Sequence, residues 1–184
     1  MRFLFVALEK DRELDNNQNF CNNMIVKRIS KEKRKAMNTK PKRALEIAID
    51  AHIEDSWGNQ PYLTHLALTA YNTTLILAEA EIEDTDDFVN AAWLHDVIED
   101  HPEYEDQIRE EFPELINSLL LVTRGKKGTY AEFIDKIVGS GDKIAVVVKL
   151  ADMTTNLSNN PPSNLRKRYE KNIEKLRVAV QNLL

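Results

Sequence analysis

The segment Ala92-Trp93-Leu94-His95-Asp96-Val97-Ile98-Glu99-Asp100 constrains this chain more than any other, because it sets one imidazole and three carboxylates on little more than one helical turn among apolar neighbours. At ~3.6 residues per turn, Asp96, Glu99 and Asp100 share a face and His95 lies one turn from Glu99. Three carboxylates this close repel one another. They are tolerated on a fully solvated face, or where a divalent cation supplies positive charge and keeps its ligands deprotonated. The apolar Ala92, Leu94, Val97 and Ile98 argue against full solvation. From this segment alone, an acidic surface helix remains the plain alternative.

Two further segments shift the balance. Pro61-Tyr62-Leu63-Thr64-His65 opens an apolar helix with an imidazole near its start, and Val146-Val147-Val148-Lys149-Leu150-Ala151-Asp152 sets an aspartate in the most apolar stretch of the chain. A buried aspartate that is ionised and unpaired costs ~several kcal/mol, and a bound metal is one partner that removes the cost. His65, His95, Asp96 and Asp152 then offer two nitrogen donors and two carboxylates. Such a mixed set suits Mn²⁺, Fe²⁺ or Zn²⁺ better than Ca²⁺, which prefers an all-oxygen shell.

This arrangement resembles the H…HD…D pattern of the HD-domain metal-dependent phosphohydrolases. Pro-Tyr-x-x-His (61–65), Leu-His-Asp-x-x-Glu-Asp (94–100) and Val-Lys-Leu-Ala-Asp-x-x-x-Asn-Leu (148–157) are similar to the hydrolase domain of the Rel/SpoT alarmone enzymes and their small stand-alone relatives. The resemblance runs from about Ala44 to Leu157. It implies an all-α HD-domain bundle, a manganese ion on His65, His95, Asp96 and Asp152, and Glu99 with Asp100 as the pair acting on the attacking water. It also implies a nucleotide substrate, with the 3′-pyrophosphate of ppGpp as the first candidate. One departure stands out. Alarmone hydrolases usually carry an Arg-Lys pair in the loop before Pro-Tyr-x-x-His, where it helps hold the guanine nucleotide; here the loop reads Asp55-Ser56-Trp57-Gly58-Asn59-Gln60, one residue shorter and without a cation.

Nucleotide recognition is therefore expected from other groups. Trp57 and Tyr130 are candidates for stacking on a base, and Asn156, one turn after Asp152, for a ribose hydroxyl or phosphate, or else for tying down its neighbours. Lys149 is expected to pair with a carboxylate near the metal or with a substrate phosphate. Residues 81–114 hold fourteen Asp or Glu against one basic residue, Arg109, whereas Lys27 to Arg43 and Arg166 to Arg177 are rich in Lys and Arg. These runs read either as solvated helix faces or as cations, from the tail or from Arg124, Lys126 and Lys127, that lean over the acidic centre and receive phosphates. His52 is expected to pack, Tyr62 to lie beside the metal-site helix, and His101 to cap a helix or stay exposed.

With 184 residues and 42% hydrophobic content the chain is long enough for one core and too short for two full-sized domains. Its net charge of −5 disfavours a dedicated nucleic-acid binder. Cys21 is the only cysteine, so no intrachain disulfide forms, and the apolar start Phe3–Leu8 is broken by charge too soon for a membrane span or signal core. A cytoplasmic protein without membrane attachment is expected.

Residues 1–40 read as an extension and 41–184 as the phosphohydrolase domain, a bundle of roughly seven or eight helices. Pro41 opens a helix with Ala44, Leu45, Ile47, Ala48 and Ala51 on one face. A second follows Pro61. Asp84-Thr85-Asp86 offers caps for a third, which carries the His-Asp motif and stops before Pro102, and Pro113 opens a new segment. Thr129 with Glu132 forms a capping box, Gly139-Ser140-Gly141 ends that helix, and Lys143 to Leu157 follows as the most apolar one. Asn159-Asn160-Pro161-Pro162 breaks the chain before a final amphipathic helix from Ser163. No strand is expected. The runner-up readings keep the scaffold and change the role: hydrolysis of another nucleotide or phosphorylated cofactor such as NADPH, or a non-catalytic nucleotide-binding module.

Overall fold

In the computed structural model, which describes residues 40–184, Pro41 lies in the opening turn of α1 (Lys40–His52), where its missing N–H has no intrahelical partner to lose. Ala44, Ile47, Ala48 and Ala51 are buried along one face of α1, as their spacing requires. The extension expected over 1–40, with its apolar start, basic run and Cys21, lies outside the described residues except for Lys40.

The chain then makes a short antiparallel hairpin, β1 (Ser56–Trp57) against β2 (Gln60–Pro61), with Trp57 opposite Gln60. No strand was expected here. Two residues per strand carry no readable alternation, and the turn depends on Gly58, whose φ of +64° disfavours any side chain.

Helix α2 (Tyr62–Glu79) follows, then α3 (Asp86–Leu94), the single turn α4 (Val97–Asp100), α5 (Glu105–Glu111), α6 (Ile116–Val122), α7 (Tyr130–Ser140), α8 (Lys143–Ser158) and α9 (Ser163–Leu183). The expected third helix is thus broken in two, and His95-Asp96 forms the break. Thr85 precedes α3 without a side-chain capping bond, so the expected cap there is absent. After Pro113 a turn intervenes and α6 begins only at Ile116. The capping box of α7 is complete: Thr129 Oγ1 accepts from Glu132 N, and Glu132 accepts from Thr129 N at 2.7 Å. Gly141 ends α7 at φ +69°, and Asp142 caps α8 by accepting from Ala145 N at 2.9 Å.

Helix α8 organises the bundle. Every residue from Ala145 to Met153 is buried, because Val148 faces one apolar cluster with α1, α3, α5 and α6, while Val146, Val147, Leu150 and Met153 face a second with α7 and α9. A helix apolar all round must be enclosed, and that enclosure overrides the strand preference of Val146-Val147-Val148. Helices α2, α3 and α8 pack on one another in all three pairings, which brings their polar side chains to a common point. Among the described residues, no helix is long and apolar enough to cross a membrane.

Candidate metal centre and the pocket above it

The common point is a cluster of imidazoles and carboxylates. α2 supplies His65, the α3–α4 break supplies His95 and Asp96, and α8 supplies Asp152; His65, His95 and Asp152 are all less than 5% exposed. His65 Nε2 and His95 Nε2 face each other at 3.3 Å. Asp96 Oδ2 lies 3.0 Å from His95 Nε2 and 3.3 Å from His65 Nε2, and Asp152 Oδ1 lies 3.8 and 3.4 Å from the same two nitrogens.

His95 Nδ1 donates to the Ala92 carbonyl at 2.8 Å, so in the neutral ring Nε2 carries a lone pair, aimed at Asp96, Asp152 and the second imidazole. Converging lone pairs need a positive charge between them. Burial opposes a charged imidazole at His95, yet the charges of Asp96 and Asp152 and hydrogen bonding to their carboxylates overcome it and push its pKa up to about 10. Burial likewise opposes ionised Asp96, but the His95 charge and hydrogen bonds from both histidines hold it well below the usual carboxylate range. The same field attracts a cation. His65, His95 and Asp96 are placed as a possible metal-binding group, with Asp152 against both histidines, and the donor set fits a borderline divalent ion.

A second group, His52, Asp55 and His101, contrasts with the first. Here His52 Nδ1 and His101 Nε2 both reach Asp55 Oδ2, at 2.8 and 2.7 Å. Those are hydrogen-bond lengths on a single oxygen, a geometry that holds protons rather than opening a space for an ion. His101, expected as a cap or an exposed residue, is instead an ion-pair partner of Asp55. His52 is buried, as expected, and stacks on Tyr62 at 4.5 Å; the Tyr62 hydroxyl in turn donates to Asp96 Oδ2 at 2.7 Å.

Asp152 is held from two further sides. Lys149 Nζ lies 2.7 Å from its Oδ2, and Asn156 Nδ2 donates to its Oδ1. Lys149 therefore takes the carboxylate-pairing alternative, while its ammonium also lies 5.3 Å from the Phe133 ring centroid. Asn156 accepts from Trp57 Nε1 at 3.3 Å, and the Trp57 ring leans on His65 with centroids 5.1 Å apart. The hairpin is thus tied to the cluster through Trp57.

Above the cluster opens a cavity of about 260 Å³, whose wall includes His65, Asp96, Asp152, Glu99 and Asn156. Glu99 Oε2 accepts from the Arg124 backbone N–H at 2.6 Å; burial raises its pKa despite that bond. Asp100 does not line this cavity. Its pKa is raised by burial and by Asp96, and it lies on the Tyr62 side. Tyr62, Arg124, Tyr130, Phe133, Lys149, Arg168 and Tyr169 complete the pocket wall, whereas Lys126 and Lys127 line a neighbouring cavity of about 510 Å³ that shares Arg124 and Phe133 with the first. Arg168 and Tyr169 were not singled out in the sequence. Tyr169 fits the apolar face of α9, and Arg168 stands in a basic run that reads equally well as solvated surface.

The fold and this cluster define a class: helical bundles with a histidine-aspartate cluster where three helices meet. Known proteins resemble the chain in sequence and in fold. The guanosine-3′,5′-bis(diphosphate) 3′-pyrophosphohydrolase of Haemophilus influenzae is 36% identical over 123 residues, which is 60% of this chain and 17% of that protein. The chain thus matches under a fifth of that relative's length. The solved structure of a metazoan ortholog of SpoT, described as hydrolyzing ppGpp and playing a role in starvation responses, superposes with a TM-score of 0.59 at 22% identity, covering 80% of this chain and 94% of that one. No protein-family model matches the chain. The chain is thus similar in sequence to part of that hydrolase and similar in fold to the SpoT ortholog.

Proposed function

We propose that residues 41–184 form a metal-dependent phosphohydrolase domain that removes the 3′-pyrophosphate from guanosine-3′,5′-bis(diphosphate). The observation that carries this reading is the convergence of His65 Nε2, His95 Nε2 and Asp96 Oδ2, with Asp152 beside them, under a cavity that also receives Glu99. The name of the Haemophilus influenzae relative supplies the substrate.

His65, His95, Asp96 and Asp152 would hold the ion, with Mn²⁺ first and Fe²⁺ or Zn²⁺ as alternatives. Such an ion supplies Lewis acidity toward a phosphoryl oxygen and lowers the pKa of water. Glu99 is the carboxylate positioned to take a proton from the attacking water, its proton affinity raised by burial and its orientation held by the Arg124 N–H. Asp100 supports the pair from the Tyr62 side. Tyr62 fixes the rotamer of Asp96, and Lys149 with Asn156 fixes that of Asp152. Trp57 offers its ring at the edge of the site, and Lys126 and Lys127 add positive charge beside it. A nucleotide substrate and a single cysteine fit a cytoplasmic site of action.

The test is a nucleotide panel, including guanosine-3′,5′-bis(diphosphate) and NADPH, given to metal-stripped protein with and without Mn²⁺. Pyrophosphate release from the guanosine compound, dependent on Mn²⁺ and absent in Asp152→Ala, is the expected result. A protein that binds metal stoichiometrically yet turns over none of the panel is a binding module, and the proposal fails.

A further inference from the structure

Among the described residues, two arginines in the pocket lack the carboxylate partners that guanidiniums ordinarily take. Arg124, in the loop after α6, and Arg168, on α9, each lie over the Tyr130 ring, both with the guanidinium carbon 5.4 Å from the centroid. Among the described residues no carboxylate lies within 4.0 Å of either guanidinium, and Arg124 Nε is buried without a hydrogen-bond partner. Tyr130, the first residue of α7, is itself braced edge-on by Tyr169 at 5.9 Å and by Phe133 at 6.0 Å. Two like charges share one aromatic ring on the wall of the cavity that holds the histidine-aspartate cluster.

The other cation of that cavity is already occupied, since Lys149 is paired to Asp152 at 2.7 Å. In the adjoining cavity Lys126, Lys127 and Lys136 add positive charge, and the carboxylate on its wall, Glu132, is engaged by Thr129. An anion entering the pocket would therefore find its unpaired donors at Arg124 and Arg168. Guanidinium forks hold phosphate oxygens bidentately, and the ring fixes their planes in advance.

We propose that Tyr130 is a rack for Arg124 and Arg168, and that these two arginines bind a second phosphate group of the substrate, separate from the one at the metal centre. Arg168 is then a specificity-determining residue for the group remote from the metal centre. The proposal rests on the phosphohydrolase reading for its scissile group, but the clamp itself can be tested without turnover.

Guanosine 5′-diphosphate carries the remote group and lacks the scissile one, and guanosine lacks both. Calorimetric titration of metal-free protein should give binding of the diphosphate at least ~10-fold tighter than of guanosine, an advantage that Arg168→Gln and Arg124→Gln each largely remove. Tyr130→Phe, which keeps the ring, should retain it, and Tyr130→Leu should not. Mn²⁺ stoichiometry and helicity in Arg168→Gln should match the parent. On the bis(diphosphate), Arg168→Gln should raise KM ~10-fold with kcat little changed. Equal binding of diphosphate and guanosine by the parent protein overturns the clamp, as does a loss in Arg168→Gln that falls equally on both ligands. Absence of any turnover, with the diphosphate preference intact and dependent on Arg168, removes the hydrolase reading and leaves the clamp standing.

Discussion

Lys149→Met separates the two charges that hold Asp152 in place, and its effect should depend on metal. Lys149 Nζ lies 2.7 Å from Asp152 Oδ2, with side-chain exposures of 10% and 6%, so this is an ion pair removed from water. Each charge supports the other: burial opposes both ions, but the Asp152 charge with its neighbours raises the ammonium pKa, and the Lys149 charge with the nearby imidazole lowers the carboxyl pKa. Deleting one partner of a buried pair costs about 3–5 kcal/mol. Asn156 still donates to Asp152, and the His65 and His95 rings still lie beside it, which favours the lower end, ~3 kcal/mol. For a chain of this size that is a fall in Tm of roughly 6–12 °C in chelator, followed by circular dichroism at 222 nm. With saturating Mn²⁺ the ion would neutralise the same carboxylate. The residual loss should then be ~1 kcal/mol, from the lysine stem and its contact with Phe133. Metal affinity should rise as well, because Oδ2 no longer has an ammonium competing for it. A Tm drop of the same size in chelator and in Mn²⁺, or one below ~2 °C in chelator, would refute the reasoning.

Two further outcomes follow from the geometry. Glu99→Gln should keep stoichiometric metal and lose ~100-fold or more in kcat, the scale of a lost positioned base; Asp100→Asn, outside the cavity, should lose much less, and the reverse ranking in single-turnover assays would exchange their roles. The His101–Asp55 pair should make stability pH-dependent in a defined direction. The hydrogen bond to Asp55 raises the His101 pKa, so its contribution is complete below the unfolded value of ~6.5 and fades as pH rises through the folded one. Hydrogen bonds from His101 and His52 lower the Asp55 pKa, so that contribution is complete above ~3.8 and fades as pH falls through its folded value. The Tm difference between the parent and His101→Gln should therefore be largest between roughly pH 4.5 and 6.5 and shrink toward pH 9; a difference constant across that range would exclude the pairing.

The features legible in the sequence are those settled within a few residues of chain. The Thr129–Glu132 capping box, the left-handed stop at Gly141, Pro41 in the first turn and the apolar periodicity of α1, α2 and α9 each follow from local backbone sterics and hydrogen bonding. The cluster members could also be named, because an aspartate in an apolar helix and a His-Asp pair among apolar neighbours are expensive unless something compensates them. Tertiary structure decided the rest. The break at His95-Asp96 turns both side chains toward α2 and α8, a consequence of three helices packing together that helical spacing within one segment cannot report. Packing also selects Glu99 over Asp100 for the cavity, gives Lys149 to Asp152, and draws Arg168 out of a basic run whose neighbours Arg166 and Arg177 face acidic residues of their own helix. Charge on an amphipathic face is set by the sequence, but which of those charges meets a pocket depends on the rotation and depth at which that helix docks, and these are properties of the whole core.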